Sequence, residues 1–402
     1  MRVSTSQIYA LGAESIGKTQ SDLLRTQQQI AAMRRILTPS DDPIGAASAV
    51  AVRQSQARTD RFDTSIATAK DALAQNDSAL SSIVNLLQNA RTTSIAAGSG
   101  TLNDADRTTY ANELSQNLDE LVGLANAKDG NGNYRFAGFQ VNAQPFVRSS
   151  AGVVYNGDSG VRNVQVDAGR TMAMSVSGDA LFLANPTGNG AFTAIAAAAN
   201  TGSAVVGATQ VVGGATLTGH AYQVNFNVAA GVTTYDVVDT TLGVNVSAGN
   251  AYAAGSAIDV AGMQVTLSGA PASGDQVAVA PAGRQSVFDT LAALVAALRA
   301  PANDDASRAQ LANRLAAGLQ NLNQALENVM THQAQGGAQL AELDSLSDIN
   351  SERAIAQSKT LSRIEDLDYT KATTDFAKQQ LALEAAQKSF LSVAGLSLFN
   401  NL

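Results

Sequence analysis

Proline placement sets the tightest limit on what this chain can fold into. Its seven prolines are Pro39, Pro43, Pro145, Pro186, Pro271, Pro281 and Pro301. None lies between residues 44 and 144, and none follows 301. A proline inside a helix costs about 3 kcal/mol, through a lost hydrogen bond and a ring clash. The two proline-free blocks are therefore free to form long helices, and their apolar spacing predicts that they do. Phe62, Ile66, Ala69, Leu73, Asn76, Leu80, Ile83, Leu87 and Ala90 step by four and three, the seam of a coiled coil with one polar Asn of the kind that fixes register. Leu315, Leu319, Leu322, Leu326, Val329, Gln333, Gly336, Leu340 and Leu343 make a second seam. A third helix is expected from Asp104, with Tyr110, Leu114, Leu118 and Leu121 inward.

Narrower seams mark both ends. Tyr9, Ile16, Leu23, Ile30 and Leu37 recur every seven residues, and so do Tyr369, Phe376, Leu383 and Phe390. Their flanks are Gln, Ser, Thr and Ala, so a lone helix of either kind is marginal in water. Each end needs a partner, either the other end or another subunit. Ile16, Leu23, Ile30, Leu37, Phe376, Leu383 and Phe390 are the candidate assembly seam.

Between the first two helical blocks stands ILTPSDDPIGAASAV, residues 36–50. A residue before proline is pushed out of the α region. Thr38 and Asp42 are thus expected to be non-helical, with the first helix ending near Leu37. Asp42 suits an N-cap, and Pro43 suits the first helical position, where its missing N–H costs nothing. Pro39, Ser40, Asp41, Asp42 and Pro43 form the candidate inter-helix hinge.

The middle changes period. GVVYNGDSG carries an Asn-Gly hairpin signal at Asn156-Gly157. VRNVQVD, AYQVNFNV, TYDVV and AGMQVTLSG alternate apolar and polar residues, as half-buried strands do. The Gly- and Ala-rich residues 187–216 fit either strand or linker. The expected fold is mainly α with a β insert: a long antiparallel coiled-coil or helical bundle built from both chain ends, with β-rich structure inserted at the tip. The expected division is terminal helices at 1–40 and 350–402, disordered in the monomer. A helical bundle follows at 41–140 and 285–349, a β-hairpin region at 141–184, and an inserted β domain at 185–284.

Composition excludes several functions. A net charge of −8 with no basic cluster argues against nucleic-acid binding. There is no cysteine, so disulfides and thiolate metal sites are out. The two histidines, His220 and His332, fall in different expected domains, which gives no His-based zinc site or nucleophile–His pair. DGNGNY, from Asp129, superficially resembles a calcium loop. Tyr134 stands where such a loop needs Gly, and Gln140 where it needs Glu, so it reads as a turn from helix into β structure. Gly336-Gly337 inside the second seam is either a weak spot or a place of close helix packing. No catalytic, cofactor or metal residues are assigned. MRVSTSQIYALGAES has no apolar stretch of signal-peptide length, and no window reaches a membrane span.

Three stretches, MRVSTSQIYALGAES, LTPSDDPIGAASAV with the helix that leads to NGNYRFAGFQ, and IEDLDYTKATTDFAKQQLALEAAQKSFLSVAGLSLFNNL, resemble the bacterial flagellin superfamily. With the helix around GGAQLAEL, the resemblance covers roughly residues 1–145 and 285–402. The Pro-Ser-Asp-Asp-Pro turn is similar to that of the hook-associated, hook–filament junction branch. Flagellins usually show Asp-Asp-Ala-Ala there. One departure is AAMRR before the break, where the family usually has a small Ser-Thr-Gly stretch.

The resemblance implies a non-enzymatic structural adaptor of the flagellum, self-associated in a ring. Its implied partners are the preceding hook-associated protein (FlgK), flagellin and an export chaperone (FlgN). It implies export by the flagellar type III route without a cleaved signal. One alternative is a flagellin-like filament subunit. Another is a glycan-binding or enzymatic module in residues 185–285, against which the scarcity of aromatic and charged residues argues.

Overall fold

The computed structural model describes residues 5–150 and 152–399. Helices α1 (Thr5–Ala32), α2 (Pro43–Ala97) and α3 (Asp104–Ala125) come first. Two hairpins follow: β1 (Phe146–Ser149) with β2 (Gly152–Tyr155), and β3 (Asn163–Asp167) with β4 (Arg170–Ala173). A π-helical turn, Asp179–Leu183, leads into β5 (Asn185–Pro186). Strands β6 (Phe192–Ala196), β7 (Val205–Val211), β8 (Tyr222–Ala229) and β9 (Val232–Asp239) open the insert. It continues through β10 (Val244–Ala251), β11 (Ala257–Val260), β12 (Met263–Ser268), β13 (Gln276–Pro281) and β14 (Arg284–Gln285). The chain closes with α4 (Val287–Arg299), α5 (Asp305–Glu365) and α6 (Tyr369–Phe399). Contacts divide it into two compact units, one holding the chain up to Ser65 and from Ser345, the other Ile66–Asp344.

In the unit Ile66–Asp344, the long seams meet as the spacing demands. Leu80, Ile83, Leu87 and Ala90 of α2 share one core with Leu114, Leu118 and Leu121 of α3 and with Leu315, Leu322 and Val329 of α5. Lys70 pairs with Asp344 at 2.7 Å, and Gln333 donates to Asp77 at 3.0 Å, so α2 and α5 run antiparallel here. α3 starts on a capping box: Asn103 accepts from Ala105 and Asp106 N–H, while Asp106 accepts from Asn103 N–H. α4 ends where Ala300, extended at ψ 139°, precedes Pro301. Four aromatic side chains close the core where helices give way to strands. Phe136, Phe146, Phe182 and Phe288 are at most 1% exposed, and their ring centroids stand 5.2–5.6 Å apart.

The insert has its own core. The sheet β10-β9-β8-β13-β6 and the sheet β11-β12-β7 are antiparallel throughout. They enclose Phe192, Val224, Phe226, Val237, Ile258, Val265, Val277 and Val279. Along β8 the buried residues are Tyr222, Val224 and Phe226, the period of two that the sequence displays. Residues 187–216, ambiguous in sequence, contain β6 and β7.

Several expectations need correction. α1 stops at Ala32 and not near Leu37. Met33 takes φ 52° there, Met33 N–H donates to Ile30 C=O, and Arg34 N–H donates to Gln29 C=O. This is a Schellman ending with Met in the left-handed position glycine usually fills, and it closes the helix before the proline can act. Asn156-Gly157 turns no hairpin. β1 and β2 pair from Phe146 opposite Tyr155 to Ser149 opposite Gly152, so Asn156 lies past the end of β2, and its N–H donates to Pro145 C=O. Asn76 does not set a seam register. Its amide donates to Met174 C=O beyond β4. Nothing lies within 4 Å of where a Cβ would sit on Gly336 or Gly337, so no close helix packing explains them, and α5 runs through both. The Asp129 turn is satisfied internally, its carboxylate accepting from Asn131 and Asn133 N–H.

Candidate functional site

The hinge residues sit in the unit formed by the two chain ends, and each has a local job. Asp41 Oδ2 accepts from Leu37 and Thr38 N–H, both at 2.9 Å, and Asp41 pairs with Arg25 of α1 at 2.8 Å. The Thr38 N–H, then that of Leu37, and Arg25 hold its carboxyl below the ordinary 3.8. Asp42 Oδ1 accepts from Gly45 N–H at 2.8 Å, and Asp42 C=O accepts from Ala46 N–H, which makes it the N-cap of α2 with Pro43 in the first turn. The Gly45 N–H and Arg35 outweigh burial and lower the Asp42 carboxyl as well. Gly45 has no room for a side chain: a Cβ would lie 2.5 Å from Asp42 Oδ2 and 2.7 Å from Ile36 Cδ1. Pro39 and Ser40 form the exposed apex, where the Ser40 and Thr38 hydroxyls meet at 2.7 Å.

This break does not stand alone. α5 runs unbroken past residue 350, the expected start of the C-terminal arm, and ends at Glu365. Residues 366–368 then break the chain before α6, with Asp368 capping it through Lys371 and Ala372 N–H. The two breaks touch. Arg34 and Asp366 form an antiparallel bridge, Arg35 N–H donates to Glu365 C=O at 2.7 Å, and Arg35 Nη2 donates to Ile364 C=O at 2.7 Å. The Glu365 carboxylate, its side chain 9% exposed, receives Arg34 and also Arg53 of α2, the latter at 2.6 Å. α2 and α5 continue antiparallel beside it, with Gln357 donating to Ser55 and Asn350 to Asp63. The fold thus makes one joint of two breaks.

Sequence reasoning found Asp41, Asp42 and Pro43 and missed Arg34, Arg53, Glu365 and Asp368. The second break has no proline. Its only signal is an aspartate, Asp368, just ahead of a helical pattern. AAMRR, which departs from the family pattern, supplies the Arg34 and Arg35 that tie the joint.

The terminal seams meet along α1 and α6. Tyr9 packs edge-on to Phe390 with centroids 5.9 Å apart, and Phe390 lies over Gly12, where a Cβ would stand 2.9 Å from its ring. Ile16, Leu23, Ile30, Phe376, Leu383 and Phe390 are half-buried. Leu37 lies outside the helix; Ile36 beside it is the buried residue, at 9% exposure. The pairing leaves other apolar side chains uncovered: Leu11, Leu24, Leu381 and Leu391 are each more than half exposed.

His220 Nδ1 meets Asp239 Oδ2 at 2.7 Å in the insert. His332, on α5, is held below its ordinary value by burial. Among the described residues no group of acidic and histidine side chains could hold a metal, and no helix is long and apolar enough to cross a membrane. In the insert Phe192, Tyr222 and Phe226 are buried, so none serves as a surface platform for sugar stacking.

Long helices from both ends of the chain, joined at paired breaks and carrying a β insert, define a structural protein of the bacterial flagellin class. Residues 3–141 match the bacterial flagellin N-terminal helical region. The chain is 28% identical over 400 residues to flagellar hook-associated protein 3 of Escherichia coli (strain K12), covering 99% of each. It is similar to the crystal structure of Xanthomonas campestris FlgL at 30% identity and TM-score 0.71, covering 77% of this chain and 99% of that one. It is also similar to the flagellar junction protein FlgL from Legionella pneumophila at 29% identity and TM-score 0.72, covering 79% and 100%. The chain belongs to the flagellar hook-associated protein 3 (FlgL) family. Likeness to a flagellin, that of Listeria monocytogenes, is partial: 28% over 131 residues, a third of this chain.

Proposed function

We propose that the chain is a structural adaptor of the bacterial flagellum, joining the hook-associated ring to the flagellin filament. The end-to-end similarity to hook-associated protein 3 carries this reading. The flagellin alternative has only a partial likeness behind it. The role is assembly and not catalysis. Copies associate in a ring with the preceding hook-associated protein (FlgK) on one side and flagellin on the other.

The mechanism follows from the terminal unit. The α1–α6 seam makes a thin two-helix arm whose uncovered Leu11, Leu24, Leu381 and Leu391 need neighbours before they leave water. The joint of Pro39–Pro43 with Glu365 sets the angle between that arm and the α2–α5 pair. A helix pair with so little burial suits a protein exported unfolded through the flagellar type III channel, with a chaperone (FlgN) covering the C-terminal helix until export.

Microscopy of cells lacking this protein tests the reading. Hooks without filaments, and flagellin shed into the medium, are expected. Filaments of normal length and number would overturn it.

A further inference from the structure

The β insert enters and leaves through one narrow neck and rests on α5 at a second place. The neck is the two-residue pairing of β5 with β14, Asn185 against Gln285 and Pro186 against Arg284. Near it, Asn321 accepts from Gly188 N–H at 2.8 Å and donates to Gln285, and Asn328 donates to Asn185 at 2.9 Å. Further along α5 a second set holds the far side. Asn313 accepts from Val206 N–H at 2.7 Å and donates to Ala204 C=O, while Gln310 donates to Ala198 and Asn200 C=O. The two sets lie about 12 Å apart along the helix, from Asn313 to Asn321. Between them is a cavity of about 490 Å³ lined largely by alanine, including Ala194, Ala196, Ala278, Ala309 and Ala317.

Four features set this contact apart from a packed core. The core of the insert and the core of the helices share no residue. No ion pair among the described residues joins the insert to α5. The hydrogen bonds come from neutral amide side chains, for which water competes on nearly equal terms. The hollow between the two sets limits the apolar burial there to small side chains such as Ala204, Val206 and Ala309.

We propose that Gln310 and Asn313 are a latch and the β5–β14 neck a hinge, so that the insert lifts off α5 as a rigid body while both cores stay folded. Gly188, at φ 65°, and Gly190, at φ 88°, shape the turn beside the neck that only glycine adopts readily. Lifting uncovers the α5 face around Ala309, Asn313 and Ala317 and the outer side of β6. The insert is then an arm whose direction neighbours can set without disturbing the helices. The proposal stands independently of the junction role.

The chain has no native cysteine, so a spin-label pair reads the motion cleanly. Labels are placed at exposed Asn323→Cys on α5 and Ala254→Cys on the insert. The parent background is expected to give one narrow distance distribution, and the Gln310→Ala with Asn313→Ala double variant a broader one shifted to longer distance, with the melting of both cores unchanged. An identical distance distribution in the double variant would overturn the latch. A lower melting temperature of the insert core would also overturn it, by assigning the two amides to folding. Hydrogen exchange gives a test without substitution. The Val206 amide, held by Asn313, is expected to exchange at least ten-fold faster than the amides of interior strand β13, and equal protection would contradict the proposal.

Discussion

The carboxylate of Glu365, at the last turn of α5, receives the guanidinium of Arg34, 331 residues away in sequence, and that of Arg53 on α2. One buried acid therefore ties the linker after α1 to the start of the α2–α5 pair. Glu365→Ala is expected to destabilise the terminal unit by about 1–3 kcal/mol, toward the low end because both guanidinium groups are half exposed. The unit Ile66–Asp344 should melt unchanged. Calorimetry resolves the two, and an unaltered first transition would show that the Glu365 pairs contribute nothing to the joint.

Acid should loosen the same joint. Asp41 and Asp42 both have carboxyl groups held below 3.8. A carboxylate lowered by folding contributes stability above its ordinary value and loses that contribution as pH falls through the folded one. The amides of Leu37, Thr38 and Gly45 should therefore become more exposed to exchange below pH 3.8 than simple proton catalysis explains, while those of α3 stay protected. Equal protection of both regions down to pH 2 would remove the two aspartates from the account.

Met33 is the reverse case, a residue that stability alone would not choose. It holds φ 52° and is 71% exposed. Met33→Gly should stabilise the monomer by about 1 kcal/mol by relieving the left-handed strain. A destabilised variant would mean that the methionine side chain packs within the chain. Reduced filament attachment by the stabilised variant would mark Met33 as an assembly contact.

How much of this was legible in the sequence depends on the range of the interaction. The α2 and α5 seams were visible because each stripe repeats locally, and Leu80, Ile83, Leu87 and Ala90 of α2 and Leu315, Leu322 and Val329 of α5 are buried as their spacing requires. Asp42 and Pro43 were visible because capping is decided within four residues. Leu37 was misplaced because the Schellman ending at Met33 uses a methionine, which carries no glycine signal. Asn156-Gly157 misled because the Asn156 N–H is taken by Pro145 C=O, eleven residues back and just ahead of β1, which the turn rules cannot see. Glu365, Arg34 and Arg53 were invisible because their partnership exists only once the two ends of the chain lie together. The four-phenylalanine cluster was hidden for the same reason, since its members come from four separate segments.

That cluster gives a test of the second unit. Phe182 is fully buried, with its ring against Phe136, Phe146 and Phe288. Phe182→Ala should cost about 3–5 kcal/mol, through lost transfer energy and the cavity left behind. The β insert, with its separate core, should retain its own transition in denaturant. A cost below about 1 kcal/mol would mean that this corner of the core is loosely packed.

If the α1–α6 seam builds the junction, as proposed, Leu383→Asp should break assembly while leaving the rest of the chain folded. Leu383 is half-buried on α6, and a carboxylate there would have to leave water at assembly without a partner. The measurement is filament growth after purified variant is added to cells that lack the protein but display hooks. The expected variant has an Ile66–Asp344 unit that melts like the parent's and restores no filaments, while the parent restores them. Normal filament growth from those hooks with the variant would contradict it.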